Sequence, residues 1–288
     1  MQIGVVYPQI ELGGDPGAVG RIGKAVEDLG FDYLLAYDHV LGAVHAGRKP
    51  QLPGPYDEHD PFHDPFVMFA YLAGITSRIG FATGVLVLPQ RQTALVARQA
   101  ADVDLLSGGG RLRLGVGVGW NHVEYEALGY DFRSRGARQE EQIDLLRRLF
   151  VEPVVDFAGR FERVDRAALM PKPTGRIPVW LGGSGDRAYE RAARLGDGFI
   201  FFGGRGFDNA LDGKDRICRR VAELGRSVEE FGAEYVTLRR DGELLADVET
   251  WRAAGGTHVS IATMGHGFDS VNAHVDYLAS VAESLGVS

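Results

Sequence analysis

The sequence predicts an α/β fold: a single (β/α)8 (TIM) barrel, with a hairpin excursion between strands four and five. Three observations carry this. Apolar runs of strand length alternate with amphipathic helical segments eight times, which implies a parallel sheet, and eight such units favour closure into a barrel. No shift in composition marks a linker, so one domain is expected over residues 1–288. The 288 residues also suit a barrel of about 250 residues plus one excursion.

The strands are expected at Gln2–Tyr7, Phe31–Tyr37, Ile79–Leu88, Leu112–Val116, Ile177–Leu181, Phe199–Phe202, Glu234–Leu238 and Thr257–Thr263. Asp15-Pro16 offers an N-cap and first-turn proline to a helix whose apolar face is Val19, Ile22, Val26 and Leu29, with Gly30 as its stop. Asp64-Pro65 opens the second helix in the same way. Thr93–Leu106, Arg135–Phe150, Asp186–Leu195, Phe207–Gly225, Leu244–Ala254 and Asp269–Leu285 continue the alternation. Residues 40–64 form a long Gly/Pro/His-containing loop, a length usually tied to function. Val154–Phe157 and Arg160–Val164, around Ala158-Gly159, read as the hairpin outside the sheet.

A net charge of −8 argues against nucleic acid or an anionic membrane as partner. No apolar run reaches the roughly 18 residues of a membrane helix. The N-terminus MQIGVVYP enters a strand directly, and the one cysteine, Cys218, can form no internal disulfide. A cytoplasmic protein is expected, acting on a small molecule and assembled as a homodimer.

The βαβ unit from Ile177 to Gly204 is the most informative stretch. Its first strand runs into Gly182-Gly183-Ser184-Gly185 and then directly into a helix. Glycine admits close backbone approach, and a helix start presents unpaired N–H groups, with Ser184 as its N-cap. Together they suit a phosphate. The loop Thr263–Phe268 is the competing phosphate site, since barrels often bind phosphate after strands seven and eight. Gly183-x-Gly185-x-x-Ala188 also matches a dinucleotide fingerprint, but no acidic residue ends the next strand.

Other strand ends carry polar or small residues where barrel chemistry occurs: Asp38-His39, Thr83-Gly84, Gly117-Val118-Gly119-Trp120, Gly203-Gly204-Arg205 and Met264-Gly265-His266. Asn121 and Glu124 have the spacing of a capping box. The cluster Asp57-Glu58-His59-Asp60 with His63-Asp64 invites a metal, but Pro61 interrupts the helix that would align the histidines, and no metal is expected.

Asp-His after strand two, ATGVLVLPQR, RLRLGVGVGW with Glu124 downstream, and PVWLGG followed by ARLGDGF resemble the luciferase-like monooxygenase superfamily, in particular its F420-dependent oxidoreductases. The resemblance spans nearly the whole chain. It implies a barrel holding the deazaflavin F420, or FMN as the alternative, with the ring at the strand ends and its phosphate on Gly182, Gly183, Ser184 and Gly185. By the same resemblance His39 is catalytic, while Asp38, Thr83, Gly84, Val85, Val118 and Gly119 line the cofactor, and the Gly84–Val85 peptide is cis. Glycine inside a strand fits such a bulge on its own chemistry. The function implied is hydride transfer between F420 and a small organic substrate; an FMN monooxygenase and a non-catalytic flavin- or F420-binding barrel are the alternatives. Trp120 and Ala43 depart from the family's sugar-phosphate dehydrogenases, which carry glutamate and tryptophan at those places. That substrate and its acid–base pair are therefore not carried over. Arg205 lies near where those enzymes place a basic residue; it reads first as a solvated loop arginine, and otherwise as a contact for an anionic substrate or the acidic tail of F420.

Overall fold

Eight strand positions close on themselves in a computed structural model that describes residues 1–12 and 14–287. The strands are β1 (Gln2–Val6), β2 (Tyr33–Ala36), β3 (Gly80–Thr83), β4 (Leu86–Val87), β5 (Leu112–Gly117), the pair β6 (Val155–Ala158) and β7 (Arg163–Ala167), then β8 (Val179–Gly182), β9 (Gly198–Phe202), β10 (Gly232–Thr237) and β11 (His258–Ala262). All barrel neighbours pair in parallel, and β1 against β11 closes the ring with Val5 opposite Ile261. β3 and β4 share one position, since both pair with β5. They are separated by the cis Gly84–Val85 peptide, at the place the family resemblance puts it.

The alternation of side chains sorts the core into two. Val5, Leu34, Phe81 and Ile261 point outward to the helices, while their neighbours Val6, Leu35, Ala82 and Ala262 fill the barrel. The barrel interior also holds a polar group. Glu234 accepts from Tyr33 Oη (2.8 Å) and Ser260 Oγ (2.6 Å) and pairs with Arg113 at 2.8 Å. The Arg113 guanidinium lies between the Trp180 and Tyr33 rings.

The helices are α1 (Ala18–Asp28), α2 (Pro65–Ala73), α3 (Thr93–Leu106), α4 (His122–Ala127), α5 (Arg135–Val151), α6 (Asp186–Leu195), α7 (Phe207–Glu223), α8 (Asp241–Ala253) and α9 (Val271–Leu285). Asp64 caps α2 as expected, accepting from the N–H groups of Phe66 and Val67. α1 differs from expectation. Its N-cap is Gly17, because Asp15 turns its carboxylate onto the Gly17 N–H and Arg21, which leaves Pro16 in the preceding turn. Gly30, at φ +84°, ends α1. α8 starts earlier than read, at Asp241, and α9 starts at Val271 behind a Ser270 cap. The hairpin β6–β7 lies outside the barrel between its fourth and fifth strands. Glu141 on α5 pins it by accepting from the N–H groups of Arg160, Phe161 and Glu162.

Candidate active site

β2 delivers Asp38 and His39 to the C-terminal mouth of the barrel, and the two side chains part company there. His39 meets α4. Its Nδ1 lies 3.3 Å from both carboxylate oxygens of Glu124, which is buried to 1% exposure. Oε1 of Glu124 also accepts from the N–H groups of Val40 (2.6 Å) and Leu41 (3.0 Å). The capping box is thus only half formed. Asn121 does cap α4 through the Val123 N–H, but Glu124 leaves that helix start for the loop after β2, whose free N–H groups and imidazole are the better partners. Asn121 Nδ2 donates to the Leu41 carbonyl and ties the two segments again.

Three aromatic rings surround the imidazole: Phe62 at 4.8 Å, Trp120 at 5.3 Å and Tyr56 at 5.4 Å between centroids. Two of them come from the long 40–64 loop. That loop lies directly on Trp120 through Gly54, where a Cβ would fall 2.0 Å from the indole. His45 Nε2 to the Tyr56 carbonyl (2.9 Å) braces it. Burial pushes the Tyr56 phenol up to about 12, so its hydroxyl stays protonated across the physiological range. Tyr56 and Phe62 carry no motif, and only the length of their loop marks them in the sequence.

Asp38 turns inward. Its carboxylate accepts from the Val87 N–H at 2.9 Å and from Arg91 Nη2 at 2.6 Å. Arg91 also donates to Asp64 at 3.0 Å. Burial opposes the Arg91 charge, but the two aspartates outweigh it and raise its pKa. The Asp38 side chain has no exposure, and through the Val87 N–H and Arg91 it anchors the β4 end of the bulge. Arg91, 53 residues distant, is a site residue that the sequence reading missed.

Thr83, Gly84 and Val85 form the bulge. Thr83 is fully buried and donates to the Gly115 carbonyl (2.6 Å), which shapes the backbone of the bulge. Val85 occupies a slot between two glycines, where a Cβ on Gly117 or Gly182 would stand 2.3 or 2.6 Å from its methyls. Val118 and Gly119 follow at the end of β5. Gly119 has φ +63°, and the Val118 carbonyl accepts from Tyr125.

The glycine turn opens as expected onto α6, with one correction. The N-cap is Gly185, not Ser184, because Gly183 (φ +148°) and Gly185 (φ +79°) rotate the chain so that Ser184 stands one residue outside. α6 has no side-chain cap; the Ala188 N–H is donated to the Gly185 carbonyl, and those of Asp186 and Arg187 are available to an anion. Gly183, Ser184 and Gly185 line a cleft of about 440 Å³ together with Arg205, Asn209, Asp212 and Arg216, the last paired with Asp186 and Asp212. The Thr263–Phe268 loop is a poor rival. Its Gly265 N–H is already donated to Glu11 (2.6 Å), and the adjoining cleft is lined by Glu11, Asp15 and Asp269, with Arg21 committed to Asp15. Like charge there disfavours a phosphate.

Of the acidic cluster, Asp57, Glu58 and His59 lie close enough to share an ion; Glu58 and His59 are exposed. Asp60 accepts the Asp57 N–H within its turn. His63 lies beside Tyr7, and Asp64 is committed to α2 and Arg91.

A parallel (β/α)8 barrel carries its chemistry at the C-terminal ends of its strands, and there this chain places the His39–Glu124 pair and the Gly182–Gly185 turn, the arrangement of a barrel enzyme. The chain belongs to the luciferase-like monooxygenase family, which matches residues 2–239, and it is an enzyme of that family. It is 31% identical over 277 residues to an uncharacterised protein of Mycobacterium tuberculosis, covering 92% of this chain and 93% of the relative. It is 33% identical over 225 residues to the F420-dependent glucose-6-phosphate dehydrogenase of Nocardia farcinica, covering 75% of this chain and 62% of that enzyme. Among solved structures, an F420-dependent secondary alcohol dehydrogenase superposes with a TM-score of 0.79 at 16% identity, over 97% of each chain. The monooxygenase RslO1 of Streptomyces bottropensis gives 0.76 at 17%, over 97% of this chain and 98% of that one. These two likenesses establish the fold. No helix among the described residues is long and apolar enough to cross a membrane.

Proposed function

We propose that the protein is an F420-dependent oxidoreductase that moves a hydride between the deazaflavin and a small organic substrate. The observation that carries this reading is the Glu124–His39 pair, a proton-handling group held at the barrel mouth. The donor set fits the cofactor. The uncapped start of α6 and the glycine turn suit its phosphate, and Arg205 suits the carboxylates of its tail. The Gly84–Val85 bulge and the Val118–Gly119 peptide, at neighbouring strand ends, suit the ring. When bound, F420 supplies hydride chemistry at a ring carbon and does not activate oxygen.

The chain's own residues supply the rest. Glu124 takes the Nδ1–H of His39, which fixes the tautomer and leaves Nε2 to give or accept the substrate proton. Tyr56, Phe62 and Trp120 keep water from the imidazole. The closure of β1 on β11 supports one barrel domain over residues 1–288, and a lone cysteine fits a cytoplasmic setting. Equilibrium titration with F420 and with FMN tests the reading. Tight binding of F420 and weak binding of FMN is expected; preference for FMN would indicate a flavin monooxygenase instead.

A further inference from the structure

We infer that the substrate of this site is an uncharged molecule with a ring-sized apolar body, and that phosphorylated sugars are excluded, an inference that rests on the oxidoreductase reading above. Three aromatic side chains, Tyr56, Phe62 and Trp120, stand around the His39 ring on the side not taken by Glu124. The apolar cluster of the barrel interior reaches the mouth as the half-buried Ile10, Tyr56, Phe62, Val85 and Phe202. Directly after His39, Val40, Leu41 and Val44 stand 44–46% exposed, an unusual aliphatic run beside a catalytic group. A flat or cyclic body can stack on these rings, and its one polar group can reach His39.

The charges argue in the same direction. A phosphate entering here would leave water beside the carboxylate of Glu124 and three aromatic rings. Arg91 is committed to Asp38 and Asp64, and Arg239 to Glu243. Arg240 donates to the His266 carbonyl and lies over Phe268 and Tyr277. Arg205 belongs to the glycine-turn cleft. On the long loop, Arg48 holds the Val44 carbonyl and Lys49 is exposed to water. The site therefore departs from the sugar-phosphate activity named for the Nocardia farcinica relative.

The full chain loaded with F420 tests this. Cyclohexanone, benzaldehyde and glucose 6-phosphate are titrated separately, and binding is read from the fluorescence of F420 and of tryptophan. Both uncharged rings should bind and glucose 6-phosphate should not at the same concentration. Trp120→Ala and Phe62→Ala should each weaken ring binding about tenfold, with F420 affinity unchanged. Binding of glucose 6-phosphate, failure of both rings to bind the loaded protein, or unchanged ring affinity in both folded variants would overturn the inference. A protein that binds no F420 defeats the cofactor reading alone; the same titrations on the unloaded chain, read from tryptophan, then decide the substrate class by the same outcomes.

Discussion

Both carboxylate oxygens of Glu124 stand 3.3 Å from Nδ1 of His39, although 85 positions of sequence separate the two residues. The same carboxylate holds the Val40 and Leu41 N–H groups, so one buried charge sets both the imidazole and the loop that carries it. Glu124→Gln keeps an acceptor for the loop and loses the charge. We expect kcat to fall by at least about tenfold, by analogy with carboxylates that orient catalytic histidines, with F420 affinity unchanged. Glu124→Ala should also lower stability by about 1 kcal/mol, because it orphans the part-buried N–H groups of Val40 and Leu41. Equal loss of F420 binding and turnover in Glu124→Gln would make the residue purely structural.

On the proposed function, His39→Ala removes the group that gives or accepts the substrate proton. Turnover should drop roughly 10²–10⁴-fold, while the dissociation constant of F420, measured by fluorescence titration, changes little. A matching loss of cofactor binding would instead assign His39 to holding the ring.

At the other end of the cofactor cleft, Gly183 has φ +148°, and a Cβ there would lie 3.3 Å from that of Ala188. Gly183→Val should distort the turn and crowd the phosphate, weakening F420 binding by about tenfold or more. Circular dichroism checks that the barrel is intact. Unchanged affinity in the folded variant would move the phosphate out of this cleft.

Asp38 gives a stability prediction rather than a catalytic one. Asp38→Ala strands Arg91, which is 13% exposed, and frees the Val87 N–H. Removing one partner of a buried pair costs about 3–5 kcal/mol. The lower end is expected, since Asp64 still pairs with Arg91. Urea unfolding measures it, and a loss below about 1 kcal/mol, the ordinary worth of an exposed ion pair, would show that the pair does not anchor the bulge.

The fold's pH dependence follows from buried histidines. Burial lowers His274 to about 4 and His258 to about 2 from an ordinary value of 6.5. Between pH 6.5 and 4 the unfolded chain therefore binds protons that the folded chain refuses, and stability falls as pH falls through that window. Glu11, 3.3 Å from Nε2 of His274, offsets part of this, because burial raises its carboxyl above the ordinary 4.5. His274→Gln should flatten the slope of unfolding free energy between pH 6.5 and 4. An unchanged slope would exclude His274 as a contributor.

The barrel was legible because its signals are local. Strand-length apolar runs, glycine stops and the Asp64-Pro65 helix start each lie within a few residues, and the structure keeps them. The cis bond at Gly84–Val85 was legible only through the family resemblance. What escaped are long-range partnerships. Nothing near Asp38 announces Arg91, and nothing near Glu124 announces His39, because burial brings these pairs together only when the barrel closes. The same holds for Tyr56 and Phe62, which sit in a loop without periodicity. Local spacing misled at Ser184 and Asp15, where positive-φ glycines and a competing Arg21 contact moved the helix starts.

A structure of the protein with F420 bound tests the central claim most directly. The account predicts the deazaflavin ring against the Gly84–Val85 bulge, its phosphate on the backbone of Gly182–Gly185, and Nε2 of His39 facing the space beside the ring. A phosphate seated at Thr263–Phe268, or a ring remote from both the bulge and His39, would contradict it.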